Sequence, residues 1–453
     1  NKDLDNRVST YQAMTERAAM LSTKAGAAFS FVEPELLSVS DDRLRELASQ
    51  FERTDLFDFY ISELIRSRAH VRSAEVEELL AQAANVARGA ETIFTMLDDA
   101  DLKYPAITDE HGQEVQLTKQ RFARFMESTD RRVREAAHTA FYSVYRDHVN
   151  TTGASLAASV NRDVFYSRAR RFDNCLEAAL NGDNIPVDVY HALLDTTEAG
   201  LDGLHAYIGL RRKLLDLDRV RTWDLLCPLF PDENYEVPYD EAVSEVIAAV
   251  APLGNEYQQA LKDAFASRWV DVYETEGKGG GAYSYGNYDV HPFVLMNYNE
   301  TIDNMFTLAH EMGHAMHSHL SNRTQPFEKA QYSIFVAEVA STLNEGLLLE
   351  HLLKKADNDR RKAFLITRYL DNTFGTFFNQ VMYARFELRI HETVEAGKAL
   401  SPETMSGWWR ELTETYYGPD FGIDDLTPLK WSRIPHFYRA FYVYQYATSY
   451  AAS

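Results

Sequence analysis

The sequence predicts a mainly α protein of two helical lobes, with one small β-sheet beside a helix that carries closely spaced histidines. Three observations lead there. Long stretches place apolar residues at spacings of three and four, with few β-branched runs. Extended runs are confined to the neighbourhoods of residues 104–117 and 268–298. The length, 453 residues, exceeds what one hydrophobic core usually serves, so two lobes are expected.

In chain order, segments 40–70 and 75–98 read as helical. Tyr104-Pro105-Ala106-Ile107 through Val115-Gln116-Leu117 reads as a short hairpin around His111-Gly112. Segment 118–150 is helical again, and Asn184-Ile185-Pro186 marks the start of a helical stretch to 215. A proline-rich stretch at 220–238, with Cys227-Pro228-Leu229-Phe230-Pro231-Asp232 and Val237-Pro238, reads as a seam. The expected division is therefore an N-terminal helical lobe at 1–220 and a second lobe at 221–453 holding the sheet and the chemistry. Arg268-Trp269-Val270-Asp271-Val272-Tyr273 and Ala282-Tyr283-Ser284-Tyr285 flank the glycine-rich turn Gly277-Lys278-Gly279-Gly280-Gly281 and read as a β-hairpin. A third extended run, Phe293–Tyr298, leads into the histidine helix. Segment 358–398 is helical, and Ser401-Pro402-Glu403 opens another helix. No internal repeat or low-complexity tract interrupts the pattern.

The chemistry is concentrated at His310-Glu311-Met312-Gly313-His314, an HExxH stretch. Chance gives on the order of 0.04 such matches in a chain of this length with 14 histidines. On a helix, positions i and i+4 lie on one face, so both imidazoles reach one metal ion, and Glu311 beside them is placed as a general base. The flanks Met305-Phe306-Thr307-Leu308-Ala309 and Ala315-Met316 are apolar, which predicts a buried helix whose histidines need partners. The longer pattern HExxHxxGxxH is not met, because His317 and Leu320 stand where glycine and histidine would be required. The third ligand must then come from elsewhere. Glu338 is the candidate, at the apolar start of a second helix that runs through Leu347-Leu348-Leu349 and is expected to return antiparallel to the first. Two histidines, one glutamate and an open position make a catalytic site for one Zn2+ ion. His317 lies roughly 10 Å along the helix axis from His310, too far to share the ion. Ser341, Asn344 and Glu345 are placed to hydrogen-bond the ligating imidazoles.

HEMGHAMHSHL, QYSIFVAEVASTLNE, GGGAYSYGNYDVHPFVLMNY and IPHFYRAFYVYQYA together resemble the oligoendopeptidase F branch of the thimet-oligopeptidase family. The specific blocks are 279–345 and 431–447. The resemblance implies His310, His314 and Glu338 as zinc ligands and Glu311 as catalytic base, in a mostly helical, two-lobed metallopeptidase with a deep channel that admits short unstructured peptides. It also implies that a histidine and tyrosines of the late segment stabilise the oxyanion, and His436, Tyr438 and Tyr444 are the expected residues. The spacing departs from thimet-type members, which have a longer glycine-rich interval after the histidine, so the choice among the tyrosines stays open. Substrate is expected to add as a strand to the small sheet, with Gly280, Gly281, Ala282, Tyr283 and His291 as candidate contacts. Against the family's pattern, terminal helical segments of the full-length protein are expected to be missing from this chain.

A net charge of −22 argues against nucleic acid as a partner. No stretch approaches the ~20 apolar residues of a membrane span. Cys175 and Cys227, the only cysteines, form no CxxC pair and suit a reducing cytoplasm. The expectation is a cytoplasmic zinc endopeptidase acting on short peptides, with a dipeptidyl carboxypeptidase and an inactive peptide-binding protein as competing readings. Oligomeric state is not specified by any feature of the sequence.

Overall fold

The computed structural model describes residues 2–5, 7–29, 31–51, 53–233 and 235–453. It is mainly helical and divides into two compact units, each assembled from separated stretches of chain. The first comprises Asn1–Ala74, Asn234–Asp359 and Ala452–Ser453, and the second Glu75–Glu233 and Arg360–Ala451. One boundary, 233/234, falls in the proline-rich stretch 220–238; residue 220 itself lies inside the second unit. Among the described residues, no helix is long and apolar enough to cross a membrane.

In the second unit, strands β1 (Ala106–Thr108) and β2 (Glu114–Gln116) form the antiparallel hairpin read from the sequence, with Gly112 at φ 77° in its turn. Aromatic packing dominates this unit's core. Phe122 and Phe141 stack at 4.0 Å and Tyr104 and Phe141 at 4.7 Å, and Tyr142 and Tyr145 are buried with them. Pro186 precedes the helix Val187–Ala199, and Ser401 caps Pro402–Tyr417 by accepting the Thr404 N–H.

The first unit holds a three-stranded sheet of β3 (Val270–Asp271), β4 (Tyr283–Tyr285) and β5 (Phe293–Leu295), in the order β3-β5-β4. This corrects the expected hairpin: β3 and β4 do not pair with each other. β5 lies between them, parallel to β3 and antiparallel to β4. The physical reason is the glycine-rich loop. Gly277 and Gly281 take φ of 88° and 78°, and the Asn297 side chain donates to the carbonyls of Gly279 and Gly281, lacing the loop to the chain just after β5.

Two long helices carry the motif residues. The motif helix, Ile302–Thr324, starts where the Thr301 hydroxyl accepts the Asn304 N–H, with Asp303 in its first turn and Arg323 in its last. Met305, Leu308, Met312, Ala315 and Met316 form its buried stripe, each at most 1 % exposed. A buried Leu or Met of this kind contributes about 1.5–3 kcal/mol. The carboxylate helix, Ile334–Lys355, packs along it. Ala309 meets Asn344, Gly313 meets Ala340 and Ser341, and Ser321 meets Ala330, so the two helices run antiparallel.

Candidate metal centre

Gly313 sets the separation of the two helices. A Cβ at this position would lie 2.6 Å from both the Ala340 carbonyl oxygen and the Ser341 Cα, so only glycine permits the two backbones to approach. That approach brings Glu338 over the face that carries His310 and His314. The Nε2 atoms of the two histidines are 3.2 Å apart, and Glu338 Oε2 lies 3.2 Å from His310 Nε2 and 3.4 Å from His314 Nε2. Among the described residues, these three alone form a cluster of ligand atoms within reach of one ion. Tetrahedral zinc with bonds of 2.0–2.1 Å separates its ligand atoms by about 3.3–3.4 Å, so the triangle fits such an ion.

The neighbouring groups orient these atoms. His310 Nδ1 is 2.6 Å from Glu345 Oε1; with the proton on Nδ1, the imidazole donates to the carboxylate and directs the Nε2 lone pair into the triangle. The Ser341 hydroxyl donates to Glu338 Oε2 at 2.9 Å. Asn344 donates instead to the backbone carbonyl of Ala309 and accepts from the Tyr257 hydroxyl. Thus Glu345 contacts a motif imidazole, Ser341 the carboxylate, and Asn344 the helix backbone.

Electrostatically the pocket draws positive charge. Burial disfavours a charged His310, but hydrogen bonds to Glu338 and Glu345 outweigh it and raise its pKa to about 10. Burial likewise works against an ionised Glu338, yet the two histidines hold it well below the usual carboxylate range. Glu311 differs. It is buried, its Oε2 has no hydrogen-bond partner among the described residues, and burial raises its pKa despite the nearby histidines. A buried, unpartnered carboxylate oxygen next to a ligand triangle is an acceptor without a proton to accept from the protein itself.

Comparison with known proteins identifies the type. The model of Peptidase family M3 matches residues 124–453, and that of Oligopeptidase F matches 35–104. The chain belongs to peptidase family M3. It is similar to Oligopeptidase PepF of Bacillus subtilis (strain 168), with 42% identity over 451 residues covering 100% of this chain and 67% of the relative. Group B oligopeptidase PepB of Streptococcus agalactiae serotype III (strain NEM316) is 38% identical, covering 100% of this chain and 75% of the relative. Among solved structures, one described as a peptidase from Chlamydophila abortus matches with TM-score 0.90 and 36% identity over 99% of this chain and 75% of that one. Oligoendopeptidase-F from Enterococcus faecium matches with TM-score 0.77 and 34% identity, over 99% and 75% of the two chains. This M3 peptidase is a metalloendopeptidase of the oligoendopeptidase F kind.

The M3 peptidase's other expected site residues lie in two places. In the first unit, Gly280, Gly281 and Tyr283 are exposed and Ala282 half-buried, around the start of edge strand β4. The Gly279 N–H donates to the Asp3 carbonyl at 2.7 Å and the Tyr283 hydroxyl to the Asp3 carboxylate at 2.9 Å. His291 is half-buried, stacked on Trp269 at 5.5 Å, with Nδ1 2.7 Å from the Pro292 carbonyl oxygen. His317 stacks on Tyr332 at 3.7 Å, and the Tyr332 hydroxyl is 2.7 Å from the Ser318 hydroxyl. In the second unit, His436 is half-buried in a 3₁₀ turn, Pro435–Tyr438, and burial lowers its pKa, with Arg439 adding to the effect. Tyr438 and Tyr444 are 4 % and 1 % exposed. Tyr438 stacks on Phe94 at 4.6 Å, and Tyr444 packs on Tyr190 at 5.1 Å. The rings beside His436 belong to Tyr442, at 6.0 Å, and Tyr446, at 6.3 Å.

Sequence reading missed Gly313, Tyr257 and Tyr332. Only Gly313 carried a signal: a glycine inside an otherwise strong helix marks close approach of another chain segment.

Proposed function

We propose that this M3 peptidase is a zinc-dependent endopeptidase that hydrolyses internal bonds of short unstructured peptides, with Glu311 as general base. The observation that carries the reading is the triangle of His310, His314 and Glu338 at 3.2–3.4 Å, accompanied by the unpartnered Oε2 of Glu311. A zinc ion held by these three residues would supply Lewis acidity toward the scissile carbonyl and a water of lowered pKa. Glu311 takes the proton of the attacking water on its buried oxygen and returns it to the departing amine. Glu345 and Ser341 keep His310 and Glu338 aimed while charge shifts.

The sheet order β3-β5-β4 leaves the outer edge of β4 without a partner strand among the described residues. A peptide added there through backbone hydrogen bonds would be held with little regard to sequence, against Gly280, Gly281, Ala282 and Tyr283 and with His291 as a further contact. The resemblance to oligoendopeptidase F gives His436 the task of donating an N–H to the developing oxyanion, and its lowered pKa supports a neutral donor. A cytoplasmic location belongs to the same reading, supported by two buried, unpaired cysteines.

The test is cleavage of an internally quenched peptide blocked at both ends, with and without a chelator, alongside Glu311→Gln. Chelator-sensitive internal cleavage is expected. The variant should keep its metal and lose about 10²–10⁴-fold in kcat. Near-native turnover by Glu311→Gln would remove the glutamate from its role, and cleavage restricted to free C-termini would replace the endopeptidase by a dipeptidyl carboxypeptidase.

A further inference from the structure

The second unit buries a set of ionisable side chains for which the reaction above has no use. Glu387 is 0 % exposed in the middle of the helix Asn379–Glu395. Its Oε1 accepts the backbone N–H of Phe441 at 2.8 Å, and its Oε2 has no hydrogen-bond partner among the described residues. One turn on, His391 is 1 % exposed, with Nδ1 2.8 Å from the Glu387 carbonyl oxygen and Nε2 3.4 Å from Asp163. Asp163 pairs with Arg162 at 2.8 Å, and Arg162 donates to the Tyr438 carbonyl at 3.0 Å.

We propose that Glu387, together with Arg162, is a positioning residue that grips the main chain between Tyr438 and Phe441 and thereby presents His436 and Tyr442 as a pair. The inference rests on the role given to His436 above. Both grips are on backbone atoms, one on a carbonyl and one on an N–H, so they fix the path of the segment whatever its side chains do. That path needs fixing. Phe441 has φ 54°, a conformation that a bulky side chain keeps only where its surroundings over-determine it. Its ring is clamped by His391 at 4.6 Å and Tyr190 at 5.6 Å. The left-handed residue turns the chain immediately before Tyr442, whose ring then lies nearly parallel to His436, at 18°. Phe437, Tyr438, Phe441, Val443 and Tyr444 are buried, whereas the rings of His436, Tyr442 and Tyr446 belong to half-buried residues. Burial pushes Glu387 up to about 8, so glutamine matches the neutral acid in shape, charge and acceptor atom.

The experiment compares Glu387→Gln, Glu387→Leu, His436→Ala and the Glu387→Leu/His436→Ala double variant in the metal-loaded chain. Metal content, unfolding transition, KM and kcat are measured for each. Glu387→Gln should keep kcat within about twofold, while Glu387→Leu should lose about ten- to hundredfold in kcat with KM and metal content unchanged. In the His436→Ala background the leucine change should add less than about twofold, because its effect passes through the histidine. Independent, multiplicative losses would overturn the inference, as would native kcat in Glu387→Leu when His436→Ala is impaired. Native kcat in His436→Ala would overturn the histidine's role and the inference with it. If the leucine variant does not fold, Arg162→Met, at the other and less buried grip, must show the same kcat-selective loss that vanishes without His436; native kcat there overturns the inference.

Discussion

From His310 to His314 a step of four residues along an α-helix returns the chain to the same face, and the two Nε2 atoms end 3.2 Å apart. Between His436 and Tyr442 the chain passes through a 3₁₀ turn, an extended residue at Arg439 and a left-handed residue at Phe441, and the two rings end 6.0 Å apart. The first arrangement is set by the helix itself and can be read from spacing. The second is set by side chains hundreds of positions away, such as Arg162, or embedded in another helix, such as Glu387. A regular element converts sequence spacing into geometry; an irregular one borrows its geometry from whatever holds it.

The largest expected effect tests the regular region. Glu338→Ala removes one vertex of the triangle and should leave the chain folded, without bound metal at equimolar zinc and without detectable peptide cleavage, as read by metal stoichiometry and peptide assay. Retained stoichiometric metal would mean that the ligand set is not this one. Glu345→Gln is milder. The amide still accepts from His310 Nδ1 but no longer as a carboxylate, and metal affinity measured by chelator competition should fall about 10–100-fold. Unchanged affinity would reduce Glu345 to a neighbour. Gly313→Ala acts on the spacing of the helices rather than on a ligand. Its methyl would meet two backbone atoms at 2.6 Å that no rotamer change can clear, so a stability loss of about 1–3 kcal/mol is expected in denaturant unfolding. A neutral result would show that the helix pair has slack, and the argument from close approach would fall.

The same contrast explains what was legible in the sequence. The β1-β2 hairpin, the helix beginning after Pro186 and the Ser401 cap followed from local signals, because turn chemistry and capping act within a few residues. The antiparallel return of the carboxylate helix was legible from its loop length and apolar start. The order β3-β5-β4 was not. A glycine-rich turn between two extended runs suggests a hairpin, and nothing local announces that Asn297 will tie the loop to a third strand that takes the central position. Each unit is likewise assembled from stretches far apart in sequence, so no single cut in the chain describes both. Glu387 shows the limit most plainly: in Phe386-Glu387-Leu388-Arg389 it looks like any surface glutamate, and its burial is decided by the surrounding fold.

The late tyrosines give the smallest and most discriminating comparison. The resemblance to oligoendopeptidase F points to tyrosines of this late segment, with Tyr438 and Tyr444 as the expected ones, but in an irregular segment sequence position says little about direction. The structure buries both rings, while Tyr442 and Tyr446 stay half-buried next to His436. If this segment supplies a phenol donor to the oxyanion, exposure of the hydroxyl should matter more than position. Tyr442→Phe is then expected to lower kcat about tenfold or more with little change in KM, whereas Tyr438→Phe and Tyr444→Phe should stay within about twofold. The reverse result, a large kcat loss from Tyr444→Phe alone, would mean that a ring 1 % exposed here reaches the reacting peptide, which requires the segment to open during turnover. The Phe441 turn, gripped by Glu387, would then have to be a hinge instead of a fixture, and the contrast between the two regions would become one between a rigid site and a moving one.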